Sequence, residues 1–574
     1  NSYMKKIALL LISGLMFTSC SDLLDTDPYD QFTKTNFFTN EKNVQLFINY
    51  TYNEFSGYGN GGSYGDFYFN VLNDDQGTTG IGDWTFTAVP ATASAWNSPY
   101  VEIRRANTLL AALPGISDMT PATKANYEGL ARLYRAWQHF KLVRSYGDCY
   151  WVDKVLDTND TDILYGERQN RNTVMDKVLE DLNYACANIS QEANSRVAYN
   201  KYVALAMKSR VCLFEGTYSK YVLKDEARAN TYLNECKNAC LEIMNSGKYE
   251  LNADFKSNFD QLDLKGNPEM IMYKHYVYNV LGHGTVDYTC GSTQVHGMSK
   301  DAFDSYLFRD GKPKATTTCD KSENGKLVKI DDNSGFGEAS FINIADLLKQ
   351  RDPRMTAQVD SILQFPGCGY ARFGGSQSTS STGYGVLLFD TNAMPNKDRQ
   401  SIGTNTTDAP IFWLAEIYLN YAEACAELGN ITQNDLDISI NKLRDRVKMP
   451  HLTTAPEADP ANNMGVSNII FEVRRERRVE MMYCNNDRYY SLQRWNQLQL
   501  LDTQKYPNQC RGAYVGNFVG KGDIDWTQVT VDADGYINCK NNGKERVYDS
   551  KYNLFPIPSG QKTLNEKIGQ NPGW

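Results

Sequence analysis

Net positive charge, histidine and long apolar runs are all scarce in this sequence, and each shortage closes off a class of function. Acidic residues outnumber basic ones, 68 against 59, giving a net charge of −9. A nucleic-acid binder needs a basic footprint to neutralise phosphates, so that class is excluded. There are five histidines, His139, His275, His283, His296 and His451, and no two stand at the i, i+4 spacing of a helical metal pair. None of the 13 cysteines belongs to a Cys-x-x-Cys pair, so no zinc ligand set is legible. Nor does a chain of this length depend on disulfides to hold a core. Past Cys20 no run approaches the ~20 apolar residues of a membrane helix.

What is present begins at the amino end. In "KKIALLLISGLMFTSCSDLLDTDPYD", Lys5 and Lys6 precede an apolar run from Ile7 to Phe17. That run is too short to span a bilayer and suits the h-region of a signal peptide. Thr18 and Ser19 before Cys20 resemble the lipobox of bacterial lipoproteins, with Phe17 looser than the usual Leu. The resemblance implies removal of residues 1–19 and acylation of Cys20; the alternative is an ordinary cleaved signal. Asn1 to Tyr3 stand ahead of Met4 and outside the fold argument. The remainder, at 41% hydrophobic, has material for a large core, and its 37 tyrosines suit both cores and wet binding surfaces.

Apolar spacing is helical along most of the chain. "IFWLAEIYLNYAEACAEL" sets Ile411, Leu414, Tyr418, Tyr421, Cys425 and Leu428 on one stripe, stopped by Gly429-Asn430. "NKYVALAMKSRVCLFEG" repeats the pattern with Val203, Met207, Val211 and Phe214, and "ARANTYLNECKNACLEIMNSG" with Tyr232, Cys236, Cys240 and Ile243. The last two cysteines read as small buried hydrophobes. "NYEGLARLYRAWQHFKLVRSYGD" lines up Leu130, Tyr134, Trp137 and Lys141. Paired helices with short turns predict a mainly α fold, a tetratricopeptide-like helix-pair scaffold without a strict repeat signature. Two stretches break the period: 57–99, rich in Gly, Asp and aromatics, and 277–409. Long loops of this kind carry function. The expected organisation is one domain over 20–574, its scaffold mainly at 100–250 and 410–500, with an irregular ligand-binding face.

Several elements in order resemble the SusD/RagB family of Bacteroidetes surface lipoproteins. They are "LARLYRAWQHFKLVRSYGD", "RDPRM" at Arg351 to Met355, "WLAEIYLNYAEACAELGN", "INKLRDRVKMP", "VRRERRVEMMYCNNDRYYSLQRW" and the closing "LFPIPSGQKTLNEKIGQNPGW". Cys484-Asn485-Asn486-Asp487 and Tyr490-Ser491 depart from the usual pattern at one turn. The resemblance implies a non-enzymatic protein fastened to the outer membrane by lipid and facing the exterior. It implies a lid over a SusC-like TonB-dependent barrel that captures oligo- or polysaccharide. A peptide-binding, RagB-like member is the nearest alternative. A surface glycoside hydrolase would need two carboxylates poised across a cleft, and a helical scaffold for proteins would leave the aromatic loops unused.

Sugar recognition needs an aromatic face for the C–H side of the ring and charged or amide groups for its hydroxyls. On that ground, and on the resemblance, candidate contacts are Trp84, Asp66, Asp74, Asp75 and Asp83, then Tyr288, Cys290, Tyr370, Arg372 and Tyr384. Trp84 is the leading one; turn formation is the competing role for Asp74 and Asp75, and Trp96 is assigned to the core. "GYGNGG" and "GGSYG" match a dinucleotide loop and a nucleophile elbow. Neither has the strand before and helix after that those motifs require. "DADG" at Asp532 to Gly535 echoes part of a calcium loop without its remaining ligands, so the sequence requires no cofactor and leaves bound calcium open. The sign alternation of "RRERRVE" predicts ion pairing, with Asp487 among the partners and Glu476, Arg478, Glu480 and Arg488 in one partly buried network.

Overall fold

The computed structural model describes residues 31–33, 36–79, 82–191, 195–291, 296–331, 337–373, 377–540 and 544–574. Cys20 and the signal segment lie outside them. The longer helices are α1 (Glu41–Thr51), α2 (Ser94–Ala112), α3 (Pro121–Tyr146), α4 (Arg171–Asn188), α5 (Lys201–Tyr218) and α6 (Glu226–Met244). After a long irregular stretch come α7 (Leu414–Glu427), α8 (Ile440–Arg446), α9 (Asn468–Glu480) and α10 (Asp487–Arg494). No described helix is long and apolar enough to cross a membrane.

The helices start and stop where their flanking residues dictate. Asn40, Thr120, Asn200 and Asp225 each accept a backbone N–H of the first turn, satisfying donors that have no partner within the helix. Pro121 opens α3, and Gly147 ends it at φ +72°. Each helix packs on the next from α2 through α6, and α6 packs on α7, which also contacts α5 and α9. This is a helix-rich scaffold of sequential neighbours, as the fold class expected.

Two helices depart from the single stripe that their sequences suggest. In α5 nearly every side chain is buried, including Lys208 and Glu215, and α7 buries Glu416, Glu423 and Glu427. Each buried acid finds cations: Glu215 takes Arg171 and Arg228, Glu416 takes Arg210, and Glu427 takes Arg474 and Lys220. A helix covered on all sides has no solvated face for its charges, so pairing is what makes their burial tolerable.

The strands come in antiparallel pairs: β1 (Met270–Lys274) with β4 (Ala409–Trp413), β2 (Lys326–Asp331) with β3 (Glu338–Asn343), and β5 (Arg511–Tyr514) with β6 (Tyr536–Asn538). The β1–β4 pair is the seam between two cores. Met272 and Phe412 belong to the helical core, while Met270, Tyr273 and Trp413 belong to the core beneath the irregular face.

The charged run on α9 is a fastening between these halves. Glu476 forms an ion pair with Arg354 (2.6 Å) and accepts from Arg444 Nε (2.9 Å). Glu480 pairs with Arg354 (2.9 Å) and Arg446. Arg477 reaches Glu423 (2.8 Å) and Asp487 (3.2 Å). The pairing matches the sign alternation; Glu476, Glu480, Arg477, Arg354 and Arg444 are buried while Arg446 and Asp487 are half-buried, and the network ties α9 to the Arg351–Met355 element.

Candidate functional site

The irregular face opens with a hairpin. Gly59–Asn60 pairs with Ser63–Tyr64 in the register Gly59 to Tyr64 and Asn60 to Ser63. Gly59 has φ +101°, and a Cβ on Gly65 would meet the Gly57 carbonyl oxygen at 2.1 Å. The glycines therefore serve a tight reversal. No helix follows Ser63, which disposes of the two motif matches in this stretch.

Beyond the hairpin the chain turns again at Tyr68, whose φ of +69° is unusual for a residue with a side chain. That conformation is held on three sides. The Tyr68 N–H donates to the Tyr483 carbonyl (2.8 Å), its carbonyl accepts from Gln76 Nε2 (2.7 Å), and its hydroxyl donates to the His296 carbonyl (3.1 Å). Phe67 and Tyr68 consequently point inward while Phe69 emerges. The Phe69 ring stacks on Tyr64 at 4.3 Å and 13°. Tyr288 stands edge-on to both, at 5.6 Å and 80° to Tyr64 and at 5.3 Å and 90° to Phe69.

Tyr64 is 62% exposed, so this three-ring cluster presents an aromatic face to solvent. Gly284 allows it to close up: a Cβ there would lie 3.2 Å from the Tyr288 ring. Exposed Ile402 borders the cluster near Gly62 and Gly284. Beside Tyr288, the buried carboxylate of Asp287 has no cation among the described residues, and burial raises its pKa. An exposed aromatic platform is the arrangement that holds a sugar ring by its C–H side.

Of the ten candidate contacts, Tyr288 lies in this cluster. Trp84, the leading candidate, is placed instead in a buried cluster and is only 6% exposed. Its indole stacks on Tyr552 at 4.6 Å and 7°, and its N–H donates to the Val547 carbonyl at 2.9 Å. Asp83 accepts from the Trp84 N–H and from Lys544 Nζ (2.8 Å); burial opposes its ionisation, but these bonds outweigh it and lower the pKa. Asp74 and Asp75 are buried rather than facing ligand. Arg488 grips both oxygens of Asp74 at 2.7 Å, and Arg478 takes Asp75 at 2.7 Å.

Asp66 faces an inner cavity, accepts from the Gly57 N–H, and is pushed up to about 6 by burial. Cys290 is sealed beside Arg372, and burial pushes its thiol up to about 12. Arg372 is itself committed to Asp360 at 2.8 Å. Tyr384 is buried and stacked on Phe303 at 4.3 Å, and half-buried Tyr370 is edge-on to Phe341. Tyr64 and Phe69 were not among the candidates, although both stand in the glycine- and aromatic-rich stretch that was singled out. Trp96 is in the core, edge-on to Tyr146 at 5.0 Å.

Two places bear on a bound cation. In "DADG", Arg511 forms an ion pair with Asp532 and donates to Asp534, at 2.7 Å each, so a guanidinium already sits between those carboxylates. Asp263, His275 and Asp408 bring ligand atoms within 4.8 Å of one another. There Asp408 already accepts from the Leu264 and Tyr276 N–H groups and lies against His275 Nδ1. His139 and His283 are buried, and burial lowers each to about 3.

Comparison with known proteins agrees with the fold and places the chain. The sequence pattern of the SusD family matches residues 257–574. A second pattern, described as starch-binding and associating with the outer membrane, matches residues 23–213. A SusD-like protein of Bacteroides ovatus is 24% identical over 511 residues, 85% of this chain and 82% of the relative. A SusD-like carbohydrate-binding protein of Bacteroides fragilis has a similar structure, with a TM-score of 0.68 at 20% identity over 94% of this chain and 100% of that one. A laminarin-binding SusD-like protein gives a TM-score of 0.54 at 17% identity over 94% and 100%. With a family pattern spanning more than half its length, the chain belongs to the SusD family.

Proposed function

We propose that this protein is a non-enzymatic glycan-binding lipoprotein of the outer membrane. It captures oligo- or polysaccharide at the Tyr64–Phe69–Tyr288 platform and passes it to a SusC-like TonB-dependent barrel, over which it sits as a lid. The observation that carries the reading is the exposed stack of Tyr64 on Phe69, closed edge-on by Tyr288. The carbohydrate- and laminarin-binding names of structurally similar proteins support the ligand class. Acylation at Cys20 would supply the tether, and the acidic stretch after it would let the body hinge on the barrel.

Calorimetry and affinity electrophoresis against laminarin, xyloglucan, starch and a peptide panel test this. Binding of one glycan is expected, and Tyr64→Ala or Tyr288→Ala should each weaken it about tenfold, the loss of roughly 1–1.5 kcal/mol of ring contact. Capture of peptides alone would overturn the ligand class. Shortening of the bound glycan on long incubation would overturn the non-enzymatic assignment.

A further inference from the structure

Between the helical scaffold and the irregular face lies a cavity of about 400 Å³. Its walls come from α3, α5, α7, α10, the turn before α10 and the chain from Glu54 to Asn70. The lining carries five cationic side chains against four acidic ones. Lys141 is bound by Glu54 at 2.5 Å, Arg210 by Glu416 at 2.7 Å, Arg477 by Glu423 and Asp487, and Arg494 by Glu423.

Arg144 is the exception. Among the described residues its guanidinium has no carboxylate partner and no hydrogen bond, and its Nε is wholly buried. Its Cζ stands over the Tyr490 ring, 3.5 Å from the centroid, and 5.2 Å from the centroid of Phe140. Stacking occupies the faces of a guanidinium and leaves its N–H groups, which lie in the plane, directed outward from the edge. Across the cavity wall, Asn485 Nδ2 and Asn486 Oδ1 are also buried and bonded to nothing.

Arg144 is half-buried with its Nε sealed off; a desolvated cation with no carboxylate paired to it is costly, and an oxyanion that accepts two parallel N–H bonds offsets that cost. We propose that this cavity binds a small oxyanion of the carboxylate class, held by the edge of Arg144 with the Asn485 amide as a second donor. The occupant would bridge α3 and the turn before α10, so it would clamp the scaffold to the irregular face. The chain from Glu54 to Asn70 contributes to both this cavity and the aromatic platform, but no platform ring lines the cavity and the proposal does not rest on glycan binding there.

The test uses the full chain at pH 7 and constant ionic strength. Sodium acetate replaces sodium chloride while melting temperature and calorimetric heat are followed, with inorganic phosphate in parallel to distinguish carboxylate from phosphate. A saturable rise in melting temperature with acetate is expected. Arg144→Gln should weaken acetate binding by at least about tenfold, and Arg144→Lys, which keeps the charge without the planar fork, should fall between. Because either variant could unfold, a bromide soak of wild-type crystals gives an independent reading: an anomalous peak against the Arg144 guanidinium. The proposal fails if acetate has no saturable effect on the wild type, if phosphate saturates the site and acetate does not, if Arg144→Gln responds as the wild type does, or if only water lies beside Arg144.

Discussion

Replacing Arg488 with alanine should cost about 3–5 kcal/mol at pH 7, because it strands a buried carboxylate. Arg488 Nε and Nη2 hold the two oxygens of Asp74 at 2.7 Å each, and both residues are less than a tenth exposed. Without Arg488, three carboxylates share one guanidinium: Arg478 lies 2.7 Å from Asp75, 2.8 Å from Asp301 and 3.5 Å from Asp74. Burial opposes ionisation of Asp74, yet the two arginines together hold its carboxyl well below the ordinary 3.8. A depressed folded pKa gives stability that is present above the unfolded value and lost only as pH falls through the folded one. Deleting one arginine raises that folded pKa, so the variant's carboxyl takes up its proton in milder acid. Its deficit should therefore shrink between pH 7 and pH 4. Urea unfolding followed by circular dichroism at both pH values measures this. The double variant Arg488→Leu with Asp74→Leu should recover most of the loss, since removing both partners leaves no orphan charge. A deficit below about 1 kcal/mol at pH 7, or one equal at both pH values, would refute the reasoning. The network also bears on function, because Asp74 and Asp75 follow directly on the loop that sets Phe69.

Two further outcomes concern Asp66 and Trp84. Asp66 has its pKa raised to about 6 from 3.8, so the native state keeps a proton that the unfolded chain has lost. Its contribution is complete below 3.8 and falls away by about 3 kcal/mol as pH climbs to 6. Asp66→Asn should remove that slope and exceed the parent in urea midpoint at pH 8 but not at pH 4; parallel pH profiles would contradict it. Trp84→Phe forfeits the hydrogen bond to Val547 and part of the stack on Tyr552, a loss of about 1–2 kcal/mol in urea unfolding. Glycan affinity should not change. Weakened affinity with unchanged stability would return Trp84 to the list of ligand contacts.

How far the sequence could be read depended on whether the deciding contact was local. The stripes of α3, α6 and α7 gave the helical class because a period of 3.6 is written in consecutive residues. The charges of α9 showed by their alternation that they would pair. Their partners Glu423, Arg354 and Asp75 lie far away in the chain, and no local rule finds them. The site shows the same limit at finer scale. "GGSYGDFYFN" announces an aromatic loop, but Tyr64, Tyr68 and Phe69 are chemically alike, and only one backbone angle sorts them. With φ at +69°, Tyr68 turns inward and Phe69 meets Tyr64; an extended residue at 68 would exchange their sides, since successive side chains alternate across extended backbone. Choosing Trp84 on the strength of its large ring had the opposite defect. An indole gains most from being covered and needs one acceptor for its N–H, and both Tyr552 and the Val547 carbonyl stand ready within the fold. The size that makes tryptophan attractive as a sugar platform makes it equally attractive as a pin for its own loop. Only the presence of a partner inside the same chain decides between the two roles.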